Sequence, residues 1–132
     1  MSEPIRVCAV VFRDDRGRVL AVRKRGTSRF MLPGGKPDPG ETARETAVRE
    51  VREEIGALID VSSLTPLATF LAPAANEEGR EVEGTIFTCS APVDAQPAAE
   101  IEDVLWVDPH VPAAAGVELA PLLSRKVFPA LG

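Results

Sequence analysis

Three glutamates, Glu50, Glu53 and Glu54, stand at helical spacing in the segment TARETAVREVREEIG. At about 100° per residue they share one arc of a helix, where each like-charge pair costs roughly a few tenths of a kcal/mol. One explanation is a solvated acidic face, relieved by Glu45 with Arg49 and Arg49 with Glu53 at i,i+4 spacing. The other is a divalent cation held among the carboxylates. Oxygen ligands without thiolate or imidazole suit Mg²⁺ or Mn²⁺, which are hard ions that share their shell with water and phosphate oxygens. Basic residues crowd ahead of this segment, at Arg18, Arg23, Lys24, Arg25, Arg29 and Lys36, inside a chain of net charge −5. They make either a solvated hairpin or a locally positive surface facing phosphate.

Arg6–Phe12 (RVCAVVF) and Val19–Arg25 (VLAVRKR) are β-branched apolar runs around an Asp- and Gly-containing turn, which predicts a β-hairpin. The stretch from Phe30 to Gly40 is too rich in Pro and Gly for regular structure and reads as a loop of fixed shape, a good place for a site. From Thr42 to Ile55 the period becomes 3.6. Thr42 and Glu45 make a T-x-x-E capping box, Gly56 suits the left-handed end, and Ala47, Val48, Val51 and Ile55 form the buried stripe. Leu64–Ala72 and Val82–Ser90 predict a second hairpin across Asn76–Arg80, Val104–Val107 a further short strand, and Pro121 the start of a C-terminal helix burying Leu122, Leu123, Val127 and Phe128. Strands interrupted by one long helix and closed by another predict an α/β or α+β fold around a mixed sheet. With 132 residues, 45% of them hydrophobic, the chain reads as one domain spanning 1–132 that buries a core unaided.

The spacing from Gly35 to Ala57 carries more. Gly35, five residues, Glu41, seven residues, Arg49-Glu50-Val51, one residue, Glu53-Glu54, one residue and Gly56-Ala57 resembles the Nudix box, G-x5-E-x7-R-E-U-x-E-E-x-G-U with U aliphatic, at every fixed position. Ala57 is smaller than the usual last aliphatic. VLAVRKR resembles the strand before the box, Phe30–Lys36 its Pro-Gly-Gly lead-in, and Glu100–Val107 the family's later acidic-to-Trp segment. The resemblance covers most of the chain and implies the Nudix fold, a mixed β-sheet sandwiched between helices.

It also implies roles. Glu50, Glu53 and Glu54 would hold Mg²⁺ (or Mn²⁺), with the Gly35 carbonyl as a further ligand, while Arg49 and Glu41 orient them. The general base would be a box glutamate such as Glu50, or Glu100 from the later segment, with Glu102 and Asp103 its rivals. Arg23, Arg25 and Lys36 are the expected phosphate contacts. Trp106, Phe70 and Phe87 read as packing residues more than as pocket lining, and His110 has no assigned role. The implied activity is hydrolysis of a phosphoanhydride in a nucleoside diphosphate linked to another group, nucleoside triphosphates of the MutT-like kind included. The alternative is a nucleotide-sensing module of the same fold that catalyses nothing. An isopentenyl diphosphate isomerase would need an active-site cysteine in a setting that neither Cys8 nor Cys89 provides.

The remaining features exclude classes. Acidic charge argues against long nucleic acid as partner and leaves small phosphorylated ligands open. Two separated cysteines and one histidine argue against a thiolate zinc site. The start MSEPIRVCAV lacks the pattern of an export signal, and no apolar run approaches the roughly 20 residues of a membrane helix, so a cytoplasmic protein with reduced thiols is expected. A homodimer fits the resemblance, although no long apolar surface pattern demands one.

Overall fold

The apolar run IRVCAVVF forms β1 (Ile5–Phe12), which lies inside a four-stranded sheet rather than in a hairpin with the next strand. The structure is a computed structural model that describes residues 3–132; Met1 and Ser2, at the head of the segment read for an export signal, lie outside the described residues. After the turn, β2 (Val19–Lys24) meets the first arm at a single bridge between Arg13 and Val19 and then departs. β1 runs parallel to β6 (Glu81–Cys89), and β2 runs antiparallel to β7 (Ile101–Val107). The expected first hairpin is therefore corrected to a turn joining two sheets. The cause is burial on both faces: every residue from Cys8 to Phe12 and from Val19 to Val22 is buried, and such strands belong between two layers.

The second hairpin forms as expected, with β5 (Leu64–Pro73) antiparallel to β6. On the other edge of β1 sits β4 (Gly34–Gly35), giving the order β4-β1-β6-β5. The Pro-Gly segment thus contains regular pairing that its composition did not predict, because two bare glycine units can lie close against a strand edge. Further along, β3 (Arg29–Phe30) pairs in parallel with β8 (Glu118–Leu119).

Helix α1 (Ala43–Ile55) starts at the expected capping box: Thr42 accepts from the Glu45 N–H, and the Glu45 carboxylate accepts from the Thr42 N–H. It stops at Gly56, left-handed at φ 69°. The C-terminal segment differs from a regular helix. After Pro121 it opens into a π-helix, Leu122–Val127, in which the Phe128 N–H reaches back five residues to Leu123, before one turn of α2 (Phe128–Ala130).

Alternation along the central strands serves two cores. Val10, Phe12, Leu20 and Val22 pack with Ala47, Val51 and Ile55 of α1. Ala9, Val11, Val19 and Ala21 pack with Leu123, Val127 and Phe128. The fold is a mixed sheet layer sandwiched between α1 and the C-terminal helix. Cys8 and Cys89 are free and buried. Among the described residues no helix is long and apolar enough to cross a membrane.

Candidate active site

The site begins where α1 presses on β4. Gly34 and Gly35 lie opposite Ala9 and Cys8 of β1. A Cβ on Gly34 would lie 2.7 Å from the Ala9 Cα, and a Cβ on Gly35 would occupy the space of the Glu50 carboxylate. One turn further along α1, Glu54 accepts a 2.9 Å hydrogen bond from the Gly34 N–H. Two carboxylates thus drop onto bare backbone, and the glycines serve by leaving room.

Burial shapes these acids. Glu54 is only 3% exposed, and burial, reinforced by the nearby Glu50 charge, pushes its carboxyl up to about 8. Burial also leads for Glu50, followed by its hydrogen bond with Glu53, and lifts it to about 7 against the pull of Arg49. Such groups favour a proton, or a cation in its place.

Arg49 organises the other side. Its guanidinium grips Glu41 through bonds of 2.7 and 3.0 Å, donates to the Lys36 carbonyl at 3.1 Å, and lies 3.4 Å from Glu50 and 3.3 Å from Glu53. Glu41 also accepts from the Asp38 N–H at 2.8 Å and the Thr46 hydroxyl at 2.9 Å. The Arg49 bond, first among these, holds the Glu41 carboxyl at about 2. Arg49 and Glu41 therefore fasten the loop at 36–41 to the helix.

A cavity of about 450 Å³ opens at this clamp, with Gly35, Lys36, Arg49 and Glu50 at one end and Lys24 and Glu100 beside them. The Lys24 Nζ is 3.5 Å from a Glu100 oxygen. Glu100 arrives here because the preceding loop is stitched to the end of α1, by Gln96 N–H to the Ile55 carbonyl at 3.1 Å and Ala98 N–H to the Glu54 carbonyl at 3.0 Å. Ala99 takes a left-handed φ of 51° to make the final bend.

Of the expected phosphate contacts, Lys36 lines the cavity, whereas Arg23 and Arg25 are absent from its lining. Arg23 is engaged elsewhere. It donates to Glu102 at 2.6 Å, to Asp103, and to the Thr27 carbonyl at 2.8 Å, so it pins β2 to β7, while Arg25 lies 3.9 Å from Glu102. The same pairing occupies the two rivals of Glu100. Lys24, which the sequence placed among the crowded basic residues but not among the phosphate contacts, lines the cavity in place of Arg23 and Arg25. Strand alternation was the available signal, since Lys24 continues the Leu20 and Val22 face that packs toward α1. Trp106 packs against the α1-side core, as does Phe87, and Phe70 packs against the other; none of the three lines the cavity.

The donor set fits a hard divalent cation: it is all oxygen, with the buried Glu54 carboxyl and the half-buried Glu50 carboxyl set against each other's charge. Glu53 is turned toward Arg49, and among the described residues no three acidic side chains converge on one point.

This clamp of a glycine pair, a glutamate helix and an arginine on a helix-flanked mixed sheet is the architecture of one family, and the chain belongs to it: the NUDIX domain model matches residues 3–129. Nudix hydrolases generally use divalent metals. The chain is 31% identical over 100 residues to a putative 8-oxo-dGTP diphosphatase of Bacillus subtilis, covering 76% of this chain and 64% of that protein. It is 32% identical over 126 residues to an isopentenyl-diphosphate Delta-isomerase of Mycolicibacterium vanbaalenii, covering 86% of this chain and 69% of that one. The matched stretch spans less than two thirds of the Bacillus protein's length. The fold is shared with the crystal structure of a MutT NUDIX hydrolase from Burkholderia pseudomallei, at TM-score 0.78 and 19% identity over 99% of this chain and all of the other.

Proposed function

We propose that this protein is a Mg²⁺-dependent hydrolase that cleaves a phosphoanhydride bond in a nucleoside diphosphate linked to another group, nucleoside triphosphates included. The observation that carries the reading is the Glu50 carboxylate seated on Gly35 at the mouth of a cavity flanked by Lys24 and Lys36. Glu50, Glu53 and Glu54, with the Gly35 carbonyl, would hold the cation. When bound, Mg²⁺ (or Mn²⁺) would neutralise phosphate charge and favour attack by water on phosphorus. Lys24 and Lys36 would orient the phosphates as point charges. Glu100, a cavity-wall carboxylate outside the cation set and beside Lys24, would accept the proton of the attacking water. Arg49 and Glu41 would keep the loop and helix in register throughout.

Neither cysteine lines the cavity, which supports hydrolysis over isomerisation despite the isomerase relative. The test is release of phosphate or pyrophosphate from nucleoside triphosphates, dinucleoside polyphosphates, ADP-ribose and nucleotide sugars, with Mg²⁺ or with EDTA. Turnover is expected with Mg²⁺ alone. Glu53→Gln should weaken Mg²⁺ binding, and Glu100→Gln should lower kcat by about 10²-fold or more while leaving Mg²⁺ affinity unchanged. Tight nucleotide binding without turnover on any substrate would instead identify a sensor.

A further inference from the structure

The cavity has a second end, away from the glutamates, and its walls there are aliphatic: Ile5 and Val7 of β1, Val82 of β6, and Leu122 and Leu123 of the C-terminal helix. Leu122 can lean onto the sheet because β6 carries Gly84 beneath it, where a Cβ would lie 2.7 Å from Leu122 Cδ2. Among the described residues no aromatic side chain lines the cavity. A flat group entering it therefore gains no ring stacking, and hydrogen bonds must tell one base from another. At this end they can come from the side chains of one short stretch, Asn76 and Glu77, on the turn between β5 and β6.

That turn is fastened. Arg29 donates to the Ala75 carbonyl at 2.9 Å, and the Ala74 N–H donates to the Arg80 carbonyl at 2.9 Å. Among the described residues the Asn76 amide finds no partner within the protein, and the Glu77 carboxylate has only a loose one, Arg80 at 3.8 Å. Both side chains keep hydrogen-bonding capacity at the cavity rim.

We propose that Asn76, with Glu77 beside it, reads the edge of the base, and that the pair suits a 6-oxopurine. The inference rests on the nucleotide reading above. An amide N–H donates to O6, while a carboxylate, which only accepts, takes the N1–H and the 2-amino hydrogen of guanine. Adenine offers a donor at position 6 and a bare N1, so the carboxylate would face a lone pair and gain no hydrogen bond there.

The experiment is the ratio of kcat/KM for GTP to that for ATP, measured with Mg²⁺ for the wild type, Asn76→Ala and Glu77→Gln. The wild type is expected to favour GTP, and the ratio to fall by roughly tenfold in each variant through loss of a hydrogen bond to the base, with the fall carried by GTP. Partial misfolding lowers the active-enzyme concentration for both nucleotides alike and cancels in the ratio, so the ratio of the remaining folded enzyme reports the base contact alone. Turnover of both nucleotides with a ratio that neither substitution changes, or a wild-type preference for ATP, overturns the assignment and leaves the hydrolase standing. A wild type that turns over no nucleotide overturns the nucleotide reading, and the base-reading pair with it.

Discussion

A single hydrogen replaced by a methyl group at Gly35 reaches the chemistry directly, because the Glu50 carboxylate already fills that space. Gly35→Ala is expected to displace Glu50 and cut kcat/KM by about a hundredfold, the usual consequence of moving a reacting group by about an ångström. Steady-state kinetics beside a thermal melt would check this; a variant of unchanged kcat/KM would remove Gly35 from the site. The acids themselves predict a pH dependence. Glu54 at about 8 and Glu50 at about 7 lie above the usual 4.5, so across that window the native state binds more protons than the unfolded chain. Their contribution to stability is complete below about 4.5 and is lost as pH rises through 7 and 8. Glu41, held at about 2, works in the opposite sense: its contribution is present above 4.5 and lost as pH falls toward 2. Urea midpoints of the metal-free protein in EDTA should therefore decline between about pH 5 and 8, and Mg²⁺ should restore most at the upper end. A midpoint that climbs over that range contradicts the burial of these acids.

At the scale of the element, α1 was the most legible part of the chain, because its start, stop and buried stripe were each written in local residues. Thr42, Glu45 and Gly56 do what their types suggest. Thr42→Ala should cost about 1 kcal/mol of stability by orphaning the Glu45 N–H, measurable as a shift in the urea midpoint with an unchanged slope. The helix wheel placed Glu54 on the acidic arc but could not show that this arc meets β4, so its near-complete burial was invisible. Strands β3 and β4, two residues each, leave no period to detect. The C-terminal helix was legible in its start at Pro121 and its buried residues. Its wide π turn was not: the turn begins at Leu122, which settles over Gly84, a contact between segments far apart in sequence.

For the whole molecule, turn chemistry between β1 and β2 predicted a reversal and was right, yet it held no information about which partners the strands take afterwards. That choice was made by two cores competing for the same apolar runs, and the partners β6 and β7 lie far along the chain. The candidate carboxylates were readable because the helix sets their spacing. For Lys24, alternation with Leu20 and Val22 gives the face of the strand, but not that this face ends at the cavity. The two cores also differ in reach. Leu20→Ala and Leu123→Ala should each cost about 2–5 kcal/mol, but Leu123 alone of the two lines the cavity, so its variant should also raise KM. Equal KM values for both would place the aliphatic end outside the binding site. The Asn76 turn is held by its own hairpin and by Arg29 on the Ala75 carbonyl, whereas Glu50, Glu54, Arg49 and the glycine pair are bound to one another through α1. Insertions or exchanges at 74–80 could therefore accumulate over generations while the reacting end is inherited intact, which makes the hairpin tip the natural ground for a lineage to acquire new substrates.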